Sequence, residues 1–226
     1  MPAVAARLLR GRFTVLTFVL VSLSVASTTI DQKEVREMVV GLAFSVLLLF
    51  AILSVGRHLR IATVALAIPT LMSHWALRLG EPMLRYVDFA LTSVFLAFLT
   101  LVIMVAVFRD QTVTADTIVG AVCAYFLIGI TWGTVYALLV FVSPDSLSIS
   151  PALAHAGGWG ARVSSFTPLL LYYSFTTLAT LGYGDVTPLS AGARALSVLE
   201  GLTGQLYLAV LVARLVGIHT ARSPRQ

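Results

Sequence analysis

Residues 176–185 read TTLATLGYGD and lie between the last two long apolar segments of the chain. The stretch is too short and too rich in glycine to cross a bilayer, which takes about 20 apolar residues as a helix. Glycine accepts positive φ at little cost, so Gly182 and Gly184 permit backbone turns that most residues avoid. The stretch predicts a specialised loop set inside a strongly apolar protein.

The composition excludes an ordinary soluble domain. The 226 residues are 58% hydrophobic and 11% charged, with a mean hydropathy of +0.95, whereas soluble domains carry about 25% charged residues. The net charge of +5 does not indicate nucleic-acid binding, because the arginines flank apolar segments and no basic patch contains interleaved aromatics. The single cysteine, Cys123, lies in an apolar segment, where we expect it to pack.

Six apolar segments predict an all-α membrane protein with six transmembrane helices. Each segment is near the length that crosses about 30 Å of hydrocarbon. Pro69 interrupts the third segment, and we expect it to kink the helix rather than break it. The segments are Phe13–Ile30, Met38–Gly56, Ile61–Leu77, Phe89–Phe108, Thr117–Ser143 and Ala195–Gly217.

The basic residues predict the topology in a cell membrane. With a cytoplasmic N-terminus, more arginines fall on the inner side than on the outer side, and the C-terminus is then also cytoplasmic. The first segment could instead be a cleaved signal peptide, although its apolar run is longer than is usual for one. A polar joint near residue 110 predicts a four-helix region at 1–110 and a second region at 111–226.

A half-length helix is expected just before the glycine-rich stretch. Thr167 can cap it and Pro168 fits its first turn, after an outer loop at 143–165 that is rich in Pro, Ser, Gly and Ala. Eleven residues at 1.5 Å each reach about 16 Å, roughly half of the membrane. In this context the order T-x-x-x-T-x-G-Y-G-D resembles the selectivity filter of potassium channels.

The resemblance implies a re-entrant pore helix and filter between the fifth and sixth helices. Backbone carbonyls would then replace the hydration shell of a permeant K⁺ ion, with no other cofactor. One chain supplies one such strand, so the resemblance implies a C4 homotetramer in the lipid bilayer. The filter residues would be Thr180, Leu181, Gly182, Tyr183 and Gly184, with K⁺ at the first four.

Other residues of the stretch would support the filter by the same resemblance. Tyr183 would pack against the pore helix, and Asp185 would form a hydrogen bond behind the filter, with Tyr173 as a candidate partner. Thr176 and Thr177, in the last turn of a pore helix expected to continue through Leu178, would also support the filter. Two positions depart from the family pattern: Leu181 stands where valine is common, and Thr176 stands where many relatives have glutamate.

The last segment would be the inner helix. Alignment through the filter places Gly204 at the usual hinge, but it could equally serve close helix packing. Glu200 is an acid within an apolar segment. We favour a carboxyl group hydrogen-bonded behind the filter or pore helix over one that faces the ion. The cavity-lining residues in this register are Gln205, Leu208, Val212 and Val216.

The sequence predicts a passive K⁺-selective channel without a charged voltage sensor. Voltage-gated relatives carry several basic residues in the fourth helix, whereas Phe89–Phe108 carries no charge. A K⁺ transporter subunit and a non-conducting membrane scaffold or sensor remain alternatives. An enzyme is not expected, because the sequence has neither a metal-binding spacing nor a nucleophile motif.

Overall fold

The computed structural model describes residues 39, 41–42, 44–48, 57–76, 82–109, 114–151 and 168–222. The expected first helix, Phe13–Ile30, its alternative as a signal peptide, and the capping residue Thr167 lie outside the described residues. The second segment is described only in part and is helical at 39, 41–42 and 44–48.

Three of the described helices are long and apolar enough to cross a membrane. They cover Met83–Arg109, Thr117–Val142 and Ala191–Ile218, which correspond to the fourth, fifth and sixth expected segments. All five described helices fall where apolar segments or the half-length helix were predicted. They are α1 (Arg57–Ala76), α2 (Pro82–Arg109), α3 (Ala115–Val142), α4 (Pro168–Leu178) and α5 (Ala191–Arg222).

Local sequence explains several of the helix limits. Pro69 lies inside α1, and the helix continues through it as expected. Thr114 caps α3: its hydroxyl accepts from the Thr117 amide at 3.2 Å, while the Thr117 hydroxyl accepts from the Thr114 amide. This reciprocal pair satisfies donors that a helix start leaves open. Pro168 occupies the first position of α4, where its missing N–H costs nothing.

Helix α3 lies at the centre of the packing and contacts α2, α4 and α5. One buried cluster joins Phe95 and Leu99 of α2 to Leu127 of α3, Leu178 of α4 and Tyr207 of α5. A second buried cluster joins the start of α2, the end of α3 and α4. The half-length helix is therefore held against two long helices, which fixes the position of the stretch that follows it.

The carboxyl-terminal half of α5 is attached to the end of α2. Arg214 donates a hydrogen bond from Nη1 to the carbonyl of Val107, and its guanidinium carbon lies 5.4 Å from the centre of the Phe108 ring. Phe108 also meets Tyr207 edge-on, with ring centres 6.4 Å apart. The Tyr207 hydroxyl donates to the carbonyl of Ala121 at 2.6 Å.

A two-stranded sheet, which the all-α expectation did not include, joins the outer loop to the segment after the glycine-rich stretch. Strand β1 (Leu147–Ile149) pairs antiparallel with β2 (Val186–Pro188), with Ile149 opposite Val186. A 3-10 turn at Pro144–Ser146 connects α3 to β1. Strands of three residues are too short to show the alternating pattern by which sequence predicts them.

Candidate functional site

The carboxyl end of α4 receives the backbone amides of the stretch that follows. The amides of Leu181 and Gly182 donate to the carbonyl of Thr176 at 2.8 and 3.3 Å, and the amide of Thr180 donates to Thr177 at 3.0 Å. The helix end thus accepts hydrogen bonds from the amide side of the stretch. The carbonyls of the same residues are left available for other partners.

Every second residue of this stretch has positive φ. The angles are 57° at Thr180, 53° at Gly182 and 79° at Gly184. Positive φ at the two glycines was expected, but sequence reasoning missed Thr180, and the two-residue spacing from the glycines was the signal that could have found it. A β-branched residue rarely adopts this conformation, which costs about 1–3 kcal/mol and is concentrated at functional sites.

Asp185 ends the stretch and is held by α4 through Tyr172, not Tyr173. The Tyr172 hydroxyl donates to Asp185 Oδ2 at 2.5 Å, and the Val186 amide donates to Oδ1 at 3.0 Å. The prediction of Tyr173 as the partner was wrong, since its hydroxyl lies 2.7 Å from Ser197 Oγ of α5. Consecutive helical residues point about 100° apart, so only one of the two tyrosines can face Asp185.

Tyr183 lies parallel to Tyr172, with ring centres 6.5 Å apart and an angle of 4° between the rings. Its side chain is 68% exposed in the single chain, and that of Leu181 is 57% exposed. At the end of α4, the hydroxyls of Thr176 and Thr177 both donate to the carbonyl of Tyr173, at 3.0 and 2.8 Å. These threonines lie in the last turn of α4, and their carbonyls accept from the amides of the stretch.

Glu200 of α5 is fully buried between α3 and α4. Tyr136 donates its hydroxyl to Glu200 Oε2 at 2.7 Å, and Ser174 Oγ lies 2.5 Å from Oε1. This is the environment that the favoured interpretation expected, a carboxyl group hydrogen-bonded behind the half-length helix. The partners themselves were not predictable, because they lie 64 and 26 residues away in sequence.

The two oxygen atoms close to Ser174 Oγ favour a protonated Glu200. Ser174 Oγ lies 2.7 Å from the carbonyl oxygen of Gly129 as well as 2.5 Å from Glu200. A hydroxyl donates one hydrogen, and a carbonyl can only accept. Both contacts are hydrogen bonds when Ser174 donates to Gly129 and the carboxyl proton of Glu200 is donated to Ser174. A neutral carboxyl group also avoids the cost of a charge within the membrane.

Gly204 packs against the last carbonyl of α4. A Cβ atom at this position would lie 2.3 Å from the Leu178 carbonyl oxygen, closer than any real contact. One turn earlier, a Cβ at Gly201 would lie an ordinary 3.8 Å from the Thr177 carbonyl oxygen. Two roles were considered for Gly204, close helix packing and a hinge. The contact with Leu178 supports the packing role and is compatible with a hinge at the same residue.

We expect Gly204→Ala to destabilise the protein by about 1–3 kcal/mol, because the backbone of α4 or α5 must move to admit the methyl group. Gly201→Ala makes the same chemical change with room available, so its effect should stay within about 0.5 kcal/mol. Thermal unfolding in detergent would compare the two. Equal stability of the two variants would contradict the packing role of Gly204.

The residues expected to line a cavity are exposed in the single chain. Gln205 Nε2 lies 3.5 Å from Thr180 Oγ1, which connects the start of this row to the glycine-rich stretch. The structure leaves the remaining members of the row on the exposed surface of α5. These residues are Leu208, Val212 and Val216.

Comparison with known proteins identifies the region that contains this site. Residues 124–220 match the model of the ion channel family, a range that starts within α3 and ends within α5. The "Voltage-gated potassium channel Kch" of Escherichia coli (strain K12) is 29% identical over 85 residues, which cover 38% of this chain and 20% of that protein. The chain therefore matches about a fifth of the length of that relative. No solved structure matches the chain significantly. The region that contains the glycine-rich stretch is thus similar to ion channels, and the relative just named is a potassium channel.

Proposed function

We propose that the chain is the subunit of a K⁺-selective channel that conducts dehydrated K⁺ passively through backbone carbonyls. The observation that carries this proposal is the alternation of positive φ at Thr180, Gly182 and Gly184, with the Leu181 and Gly182 amides bonded to Thr176. Because these amides donate to the end of α4 on one side of the strand, the carbonyls of the strand can point to the other side. Stacked carbonyls are the ligands that replace the hydration of K⁺.

The proposed conducting unit is a homotetramer around the strand. The sequence contains one copy of the stretch, and a cage of about eight oxygens in two layers needs four strands. The single chain leaves two surfaces open that such an assembly would cover. These are the exposed side chains of Leu181 and Tyr183 and most of α5, which is far less buried than α2 or α3.

The orientation of α4 supports a cation site at its carboxyl end. A helix carries about half a negative charge at its carboxyl terminus, and the effect is confined to the last turn. Thr176 and Thr177 belong to that turn and contact the first residues of the stretch. Four such helix ends around one axis would favour a cation that has lost part of its water.

A reversal-potential measurement tests the proposed function. We expect the purified protein in liposomes with opposed K⁺ and Na⁺ gradients to reverse near the K⁺ equilibrium potential. Accumulation of K⁺ against its gradient would instead identify a transporter subunit. The absence of flux across a range of pH and voltage would favour a scaffold or sensor.

The same recordings test the proposal that voltage does not gate the pore. Helix α2 has no charged residue from Phe89 to Phe108, and moving a unit charge through the field contributes only about 2.3 kcal/mol per 100 mV. We expect open probability to change little between −100 and +100 mV. A steep dependence on voltage would contradict this part of the proposal.

The proposed orientation places both termini in the cytoplasm, so that the outer loop and β1 lie on the extracellular side.

A further inference from the structure

The strand pair after α3 reaches one residue further than its three paired positions, and that residue contacts Asp185, which directly follows the proposed filter. The amide of Ser150 donates to the carbonyl of Asp185 at 2.8 Å. At the other end, the amide of Leu189 donates to the carbonyl of Ser146 at 2.8 Å. Residues 146–150 therefore form a continuous ladder with residues 185–190, in the register of Ile149 opposite Val186.

Resting on the proposed function, we propose that this ladder, which we name the outer clamp, positions the filter by fixing the direction of the Asp185 carbonyl. Ser150 and Ser146 are its positioning residues, and both act through the backbone. Asp185 directly follows Gly184, the last residue of the stretch with positive φ. With the Asp185 carbonyl bonded to Ser150, the row of carbonyls that can face the ion ends at Gly184.

The outer clamp is anchored on the long helices, so it can resist movement of the filter. A free two-stranded sheet is only marginally stable. Here Val186 is buried, and Leu147 and Ile149 pack against a cluster that contains Phe89 of α2 and Tyr136 of α3. The 3-10 turn at Pro144–Ser146 leads directly from α3 into β1. The outer end of α3 is thus connected to the filter by a short path of backbone hydrogen bonds.

The filter has further attachments, which bond groups other than the Asp185 carbonyl. The amides of Leu181 and Gly182 fix its inner end to Thr176. The bond from Tyr172 fixes the side chain of Asp185, and the same carboxylate accepts from the Val186 amide on the N–H side of the peptide that follows. The Ser150 amide bonds the carbonyl oxygen of that peptide, so its loss should change the filter while α4 stays in place.

A proline at position 150 removes this amide. Ser150 precedes Pro151, which already restricts it to extended backbone that proline can adopt. Ser150→Ala is the matched control: both variants lack the hydroxyl, so the difference between them isolates the N–H group. In liposomes containing the full-length protein, we expect Ser150→Pro to raise the Na⁺/K⁺ permeability ratio about two- to tenfold, the range for one lost hydrogen bond. Ser150→Ala, which keeps the N–H group, should show the lower ratio of the two variants.

Hydrogen exchange provides a readout that does not depend on conduction. We expect the amides within 182–190 to exchange faster in Ser150→Pro than in Ser150→Ala, because the ladder opens from its end.

A second variant tests the outer clamp even if the proline prevents assembly of the protein. Ser148 and Thr187 are directly opposite, at a separation that suits a disulfide. Oxidation of the pair Ser148→Cys/Thr187→Cys should slow exchange across 182–190, and reduction should reverse this.

The outcomes separate the outer clamp from the proposed function. K⁺-selective flux that is equal in Ser150→Pro and Ser150→Ala, with equal exchange, would overturn the clamp and leave the channel intact. An oxidised cysteine pair with unchanged exchange would also overturn it. No K⁺ flux from the unmodified protein would instead overturn the proposed function. The native thiol should not interfere, because Cys123 is fully buried.

Discussion

Gly182→Ala should abolish K⁺ selectivity. Gly182 has a φ of 53°, and a Cβ atom there would meet nothing within 4 Å in the chain, so the effect arises from backbone strain rather than from a clash. An L-residue in the left-handed region costs about 1–2 kcal/mol. Four copies in the proposed tetramer would impose roughly 4–8 kcal/mol on one shared filter. Relief of that strain requires the peptide to turn, which moves a carbonyl away from the ion path.

We expect the Na⁺/K⁺ permeability ratio of this variant to rise by at least about tenfold, equivalent to 1.4 kcal/mol, or K⁺ flux to disappear. Gly217→Ala is a suitable control, since its Cβ also meets nothing within 4 Å and the residue lies within α5, where alanine is favourable. Reversal potentials of the two variants, measured in liposomes of the same composition, would give the two permeability ratios for comparison. Retained selectivity in Gly182→Ala would contradict the role assigned to positive φ.

Glu200→Ala should destabilise the protein by roughly 2–5 kcal/mol, because it removes a buried side chain and leaves the buried Tyr136 hydroxyl without its acceptor. Tyr136 loses its acceptor, and Ser174 keeps only the Gly129 carbonyl. Since this network joins α5 to both α3 and α4, we also expect the variant to lose K⁺ flux. Thermal unfolding in detergent, followed in parallel with flux in liposomes, would measure both effects.

Glu200→Gln distinguishes a neutral carboxyl group from an ionised one. A glutamine carbonyl can accept from Tyr136, and its amide group can donate to Ser174 Oγ, as a protonated carboxyl group does. We expect the stability of this variant to lie within about 1 kcal/mol of the unmodified protein. If Glu200→Gln were as damaging as Glu200→Ala, the site would require a carboxylate, and the donor assignment at Ser174 would be wrong.

Sequence reasoning worked best where local chemistry determines structure. The stretch from Thr176 to Asp185, the half-length α4 and the positive φ at Gly182 and Gly184 follow from residue types within a few positions of one another. The partner of Asp185 was predicted wrongly because the choice between Tyr172 and Tyr173 depends on how α4 is rotated about its axis. That rotation is set by packing against α3 and α5, which no local pattern contains.

Contacts between distant segments were the least predictable. The pairing of Ile149 with Val186 joins residues on either side of α4, and three-residue strands give no periodic signal. The burial of Glu200 was anticipated from its acid side chain in an apolar segment. Its partners Tyr136 and Ser174 were not, since tyrosine and serine are too common in such helices for their positions to identify a contact.

The contact of Arg214 with Val107 and Phe108 joins the end of α2 to α5, so a movement of one should be passed to the other. Helix α5 is also held at Gly204, where it packs against the end of α4. Arg214 lies ten residues further along the same helix. Displacement of the end of α2 would move the part of α5 that follows Gly204, while the region around Gly204 stays in place. Although its segment Phe89–Phe108 carries no charge, α2 would in this way be mechanically connected to the proposed pore.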